Sequence, residues 1–188
     1  MSRYQAQEWD NRYLSTSHNL SKPRAFLGEV INHCPTSGWA LDVAMGEGHN
    51  AGLLESRGLK VLGVDFSRVA LQKAKKIYPH VQAAQVELPR LHLPDASLDV
   101  ILNFWFLDRE LFSQYQRWLK PGGLLIFETM RFDPESDQSH LRKEYLIQPG
   151  ELRTAFSNWN LIVYDENVQA LAKGNPQLAA RMLARKPL

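Results

Sequence analysis

From Trp39 onward, apolar residues gather into short continuous runs separated by stretches in which they return every three or four positions. The runs are WALDVAM (39–45), KVLGVDF (60–66), LDVILNFWFL (98–107) and LLIFETM (124–130), with VQAAQVEL (81–88) as a more polar one. A run apolar at successive positions fits a strand covered on both faces. Between the runs, His49–Arg57, Ser67–Tyr78 and Asp108–Leu119 keep helical spacing. Ser67 stands where an N-cap belongs and Pro79 where a helix must stop. Strands alternating with helices predict an α/β fold, a Rossmann-like, doubly wound, mostly parallel sheet.

The two ends break this rhythm. Residues 3–15 and 22–34 read as helices ahead of the first strand. Pro23 falls in a first turn, Phe26, Leu27, Val30 and Ile31 lie at helical spacing, and Pro35-Thr36-Ser37-Gly38 ends the segment. Near the other end, Pro149-Gly150-Glu151 opens a short helix to about Phe156. Asn160–Glu166 and Ala180–Lys186 then read as strands, with Gly174-Asn175-Pro176 as turn material. Two strands without a helix between them predict an antiparallel hairpin on the sheet edge. The expected organisation is one domain over 1–188, with a helical cap at 1–38 and a Rossmann-like core at 39–188.

Composition narrows the classes. The chain has 188 residues, 44% of them hydrophobic and 22% charged, enough to bury a sizeable core. A net charge of +2 with no dense basic run gives no reason to expect nucleic acid. Lys73, Lys75 and Lys76 read as a solvated helix face. Cys34 is the single cysteine, so neither a disulfide framework nor a cysteine metal site is expected. No apolar run reaches a membrane span, and the polar start MSRYQAQEWD is unlike a signal peptide. These features lead to the expectation of a cytoplasmic monomer or homodimer with neither metal nor membrane partner.

The chemistry gathers at LDVAMGEGHNA (41–51), where Gly46 and Gly48 follow a buried strand and precede a helix. Glycines there let backbone approach a ligand closely. Gly46, Gly48 and Ala51 fit a dinucleotide-type G-x-G-x-x-A turn, and Asp65 ends the second strand, where a carboxylate accepts from ribose hydroxyls. This pattern asks for an adenosine-type ligand and leaves a nicotinamide dinucleotide open. Two features turn away from NAD(P): a helical segment before the first strand, and Glu47, which opposes a pyrophosphate at the helix start.

LDVAMGEGHNA, GVDFS (63–67), VEL (86–88), LDVILNFWFL and LKPGGLLIFET (119–129) occur in order, and with them the chain resembles class I S-adenosylmethionine-dependent methyltransferases over nearly its whole length. WDNRY (9–13), KPRAFL (22–27) and QPGELRTAF (148–156) resemble the small tellurite-resistance and thiopurine-type branch. The resemblance implies S-adenosylmethionine as cofactor and a small-molecule acceptor. It implies that Asp42 organises the loop near the methionine amino group, with Ala44 at the family's first glycine position. Gly46, Glu47 and Gly48 would pass the methionine portion, and Asn50 would open the following helix. Asp65 would hold the ribose, with Phe66 and Ser67 beside it. Glu87 and Leu88 would meet the adenine, Asn103 would face the mouth of the site, and Arg12 or Tyr13 would reach the methionine carboxylate.

Methyl transfer needs alignment in a dry pocket more than a dedicated base, so no catalytic residue is singled out. Acceptor selection falls to Trp9, Arg12 and Tyr13, to the turn 103–107, and to the polar loop 131–145, where Arg131, His140, Arg142 and Lys143 could attract an anion. The alternatives are a non-catalytic S-adenosylmethionine-binding sensor or accessory subunit, and an NAD(P)-dependent oxidoreductase.

Overall fold

The computed structural model describes residues 3–15, 22–139, 141–172 and 175–188. In chain order they form α1 (Arg3–Leu14), α2 (Ala25–Val30), β1 (Trp39–Val43), α3 (His49–Ser56), β2 (Lys60–Asp65), α4 (Arg68–Ile77), β3 (Gln82–Gln85) and β4 (Leu98–Phe104). After these come α5 (Glu110–Trp118), β5 (Leu119–Met130), α6 (Glu151–Ala155), β6 (Asn160–Ala172) and β7 (Asn175–Arg185). Of the sequence features singled out above, His140 and Gly174 lie outside the described residues.

All seven strands join one sheet in the order β3-β2-β1-β4-β5-β7-β6. The first five are parallel neighbours, β7 runs antiparallel to β5, and β6 antiparallel to β7. The expected α/β architecture with a closing hairpin is the one observed. The hairpin's second strand, β7, is the one that docks on β5, which leaves β6 outermost.

The continuous apolar runs are explained by two cores. Leu41, Val43, Ile101, Leu125 and Phe127 point to one face, under α5 and α6, where Leu111, Phe112, Tyr115, Leu152 and Phe156 pack. Ala40, Val100, Leu102, Leu124 and Ile126 point to the other, under α2, α3 and α4, where Phe26, Leu27, Leu54 and Leu71 pack. Alternate residues of each central strand therefore serve opposite cores, as the pleat requires. Ser67 caps α4 as expected, its Oγ accepting from the Ala70 amide at 3.2 Å.

Several boundaries move. The second helix breaks at Val30 into a 3₁₀ turn over Ile31–His33. The third strand stops at Gln85, and Leu88–Arg90 is a 3₁₀ turn carrying Pro89, which has no N–H for a ladder. The fourth strand stops at Phe104 because Trp105 turns to φ 57°. Both hairpin strands run longer than expected. Their Gln-, Asn- and Ala-rich halves have little β-propensity and are held by the antiparallel pairing itself. No described helix is long and apolar enough to cross a membrane.

Candidate functional site

The carboxyl ends of β1 and β2 make the site. After Val43 the chain passes through Ala44 and Gly46 in left-handed conformations, at φ 52° and 56°, and Gly48, at φ 78°, caps α3. Met45 stays tied to β2 through its amide on the Val64 carbonyl at 3.0 Å. Asp65 closes the structure. One carboxylate oxygen accepts from the Gly46 amide at 2.9 Å and the other from the Ser67 amide at 2.8 Å. Burial pushes the Asp65 carboxyl up, and the amides of Ser67, Gly46 and Phe66 pull it back down.

Asp42 lies below this turn and is 1% exposed. Burial pushes its carboxyl up to about 8, against the Ala51 amide that it accepts from and with the nearby charge of Asp65. Its Oδ2 is buried without a hydrogen-bond partner among the described residues. Such an oxygen is costly unless a donor or cation meets it.

Glu47 is paired. Its carboxylate is 2.8 Å from the Lys73 Nζ, which also donates to the Tyr13 carbonyl at 2.6 Å. The turn is therefore less negative than its sequence suggests, because α4 supplies the counter-charge.

Helix α1 lies across these strand ends. Asp10 accepts from the Ser67 hydroxyl at 2.6 Å and the Val69 amide at 3.1 Å, at the start of α4. Trp9 meets Phe66 edge to face, with ring centres 6.4 Å apart. Tyr13 reaches the glycine turn itself: a Cβ on Gly46 would lie 2.6 Å from its hydroxyl oxygen. Burial, then the charges of Asp65 and Glu47, raise the Tyr13 phenol well above its ordinary value. Arg12, in contrast, pairs with Glu8 at 2.5 Å and stacks on Trp9 at 4.7 Å, away from the turn.

Asp42, Ala44, Gly46, Glu47, Gly48, Asp65, Phe66, Ser67 and Tyr13 thus converge. Others stand apart. The Asn50 side chain accepts from the Arg24 amide at 2.9 Å and fixes the entry to α2. Glu87 is half-exposed, pairs with Arg90 at 3.3 Å, and sits with Leu88 beyond the end of β3. Asn103 is 1% exposed. Its amide donates to the Phe106 carbonyl at 2.7 Å and accepts from the Tyr115 hydroxyl at 2.8 Å. The side chain expected at the mouth braces the turn after β4 instead.

Sequence reasoning passed over Arg24 and Glu128, and read Lys73 as part of a solvated helix face, whereas it pairs with Glu47. The Arg24 guanidinium lies 5.0 Å from the centre of the Trp105 ring. Burial lowers the pKa of Arg24, opposed by the charges of Glu128 and Tyr13. Glu128, at the end of β5, is pushed up by burial, with Arg24 as the main opposing charge. These residues are far apart in the chain, and no local motif announces them. Among the described residues, no group of three or more His, Cys, Asp or Glu is placed to hold a metal ion.

Comparison with known proteins agrees with this geometry. Residues 41–127 match the methyltransferase domain family. A protein of Mycolicibacterium smegmatis assigned as an S-adenosylmethionine-dependent methyltransferase is 31% identical over 105 residues, covering 52% of this chain and 41% of its own length. The chain therefore spans under half of that relative. Hemagglutinin 1 of Eikenella corrodens is 28% identical over 195 residues, covering 93% of this chain and 63% of its own. The fold matches that of a SAM-dependent methyltransferase from Methanosarcina mazei with a TM-score of 0.69 at 16% identity, over 89% of this chain and 99% of that one.

Proposed function

Because residues 41–127 match the methyltransferase domain family and the fold is that of class I enzymes, we propose that the chain binds S-adenosylmethionine and moves its methyl group to a small-molecule acceptor. The observation that carries this reading is the Asp65 carboxylate, which bridges the Gly46 and Ser67 amides at the junction of β1 and β2. It puts an acceptor of hydroxyl hydrogen bonds beside a backbone that has no Cβ. The donor set fits the cofactor. A ligand with an ammonium and a sulfonium suits a site that holds Asp65 and Asp42. The unpartnered Asp42 Oδ2, whose carboxyl burial keeps protonated in the fold, is the oxygen left to ionise against such a cation.

When bound, the cofactor supplies a methyl group on a sulfonium, and its displacement releases a neutral thioether. The chain supplies the surroundings. Asp65 takes the ribose hydroxyls, Phe66 and Ser67 flank the adenosine, and Glu87 with Leu88 borders the adenine side. Asp42, Ala44, Gly46, Glu47 and Gly48 shape the methionine side, and Asn50 acts on it only through the Arg24 segment that it fixes. Tyr13, with its raised pKa, stays a phenol at neutral pH and donates to the methionine carboxylate. Arg24 stands behind it as the buried cation on that side, a role for which Arg12 is badly placed. Trp9 and Phe66 keep water from the cofactor, which strengthens every polar contact inside. Soft acceptors, such as thiols or selenium and tellurium oxyanions, need no base in this arrangement. The resemblance of WDNRY (9–13), KPRAFL (22–27) and QPGELRTAF (148–156) to the tellurite-resistance and thiopurine-type branch supports that class.

The test is thermal shift with S-adenosylhomocysteine, S-adenosylmethionine and NAD(P)H, followed by product detection over a panel of thiols and of selenium and tellurium oxyanions. Ligand at 100 times its dissociation constant adds about 2.7 kcal/mol. Stabilisation by NAD(P)H and not by S-adenosylhomocysteine overturns the reading.

A further inference from the structure

A second site opens on the same edge of the sheet, beyond the end of β5. Arg131 leaves that strand with its amide on the Leu178 carbonyl at 2.8 Å, and residues 131–139 then fold over the start of β7. Between this loop and the β6–β7 hairpin lies a cleft of about 500 Å³, whose polar lining is Arg131, Ser136, Asn167, Gln169 and Gln177 with the carboxylates Asp133 and Glu135 on the loop side. Its size is that of a small-molecule site. Arg131 directly follows β5, two steps from β1 in the strand order, roughly 10 Å across the sheet at ordinary strand spacing. The hairpin wall on β7 and β6 stands one and two steps farther, so an acceptor anchored here is extended.

The cleft is built rather than incidental. Gln138, 8% exposed, donates to the Gln177 Oε1 and to the Arg131 carbonyl, each at 3.0 Å, and accepts from the Asp133 amide at 2.9 Å. Gln177 accepts this bond through its oxygen, and its amide nitrogen can donate into the cleft it lines. Arg131 is half-buried, and its Nε is buried without a partner. No described side chain forms a hydrogen bond or ion pair with its guanidinium. Arg109 is paired with Glu151 at 2.5 Å, and Arg181, whose Nε is also buried without a partner, has Glu29 at 3.0 Å from its Nη1. Asp133 is near enough for Arg131 to lower its pKa, yet its two oxygens accept from the Ser136 hydroxyl and the Glu135 amide. Asp133 and Glu135 share the cleft, but neither forms an ion pair with Arg131. A cation left in this way beside the side-chain amides of Asn167, Gln169 and Gln177 is set for an oxyanion.

We propose that this cleft anchors the methyl acceptor by an oxyanion, a phosphate or a carboxylate, with Arg131 as the anchor and Gln177 donating to a neighbouring oxygen. The assignment rests on the methyl-transfer reading of the glycine-turn site.

Calorimetric titration of the full chain, saturated with S-adenosylhomocysteine, tests this with inorganic phosphate, glucose 6-phosphate, gluconate and neutral glucose as probes. Saturable binding by a phosphate or carboxylate probe and not by glucose is expected; which of the two binds tells the sources apart. Arg131→Gln should weaken that binding tenfold or more, the size of one lost charged hydrogen bond. Asn167→Asp, which adds a carboxylate to the wall without touching Arg131, should weaken it as well. Both variants should keep wild-type affinity for S-adenosylhomocysteine. No oxyanion binding at millimolar concentration, or wild-type binding in both variants, overturns the proposal. Failure of S-adenosylhomocysteine to bind the unmodified chain instead removes the reading beneath it.

Discussion

The Asp65 carboxylate holds the Gly46 amide at 2.9 Å, so the end of β2 fixes the shape of the turn after β1. Its other oxygen does the same for the Ser67 amide at the start of α4. Removing the side chain leaves two buried donors without an acceptor, at about 1–3 kcal/mol each. Asp65→Ala is therefore expected to lower stability in urea denaturation and to weaken S-adenosylhomocysteine at least tenfold, a loss of about 1.4 kcal/mol or more. A stability loss with unchanged affinity would mean that Asp65 is scaffold only.

Gly46 is under two constraints. At φ 56° a side chain is strained, and a Cβ would press on the Tyr13 hydroxyl. Gly46→Val should abolish S-adenosylhomocysteine binding while circular dichroism still reports a folded domain. Adding Tyr13→Ala relieves the clash and not the strain, so the double variant should regain stability without regaining affinity. Recovery of affinity in the double variant would place the ligand away from Gly46.

Asp42 makes stability depend on pH. Its carboxyl lies at about 8 in the fold against an ordinary 3.8. Between those values the native state holds a proton that the unfolded chain has released. Stability therefore falls as pH rises from 4 to 8, and this contribution is flat above. Asp42→Asn, neutral throughout, should gain on the parent chain as pH climbs to 8 or 9 and lose that advantage near pH 4. Parallel profiles of melting temperature against pH would show that Asp42 is already ionised in the native protein.

The central strands and the glycine turn were legible because their signals are local. A run such as LDVILNF is apolar on both faces, and a G-x-G after it has few other uses. Ser67 at the head of α4 was legible for the same reason. What stayed hidden depends on distant pairings. Gln177 and Ala179 lie in a stretch poor in strand formers, and they become β7 only because β5 and β6 flank them. Lys73 reads as a solvated lysine until the fold brings it to Glu47. Arg24 shows nothing in its own segment of the cluster it enters with Glu128 and Trp105. Asn103 was placed on the correct strand end, but a motif gives no sign that Phe106 and Tyr115 claim its amide.

The last prediction concerns α1. Twelve residues make a marginal helix in water, so its order comes from what it touches: Phe66 through Trp9, Ser67 and Val69 through Asp10, and the Gly46 turn through Tyr13. All of these contacts fall on the proposed cofactor site, and Lys73 links the Tyr13 carbonyl to Glu47 in the turn. A ligand seated between α1 and the turn must either displace the helix or be covered by it. The cover is expected, because Tyr13 and Trp9 then act on the ligand and exclude water. Hydrogen exchange of residues 3–15 should slow when S-adenosylhomocysteine binds. Deleting residues 1–20 should leave a folded core whose affinity has dropped tenfold or more. Lys73→Met should fall between the two, with faster exchange in α1 and a smaller loss of affinity. Equal exchange with and without ligand, together with full affinity in the truncated chain, would reduce α1 to packing and move the methionine contacts to Arg24 and the turn alone.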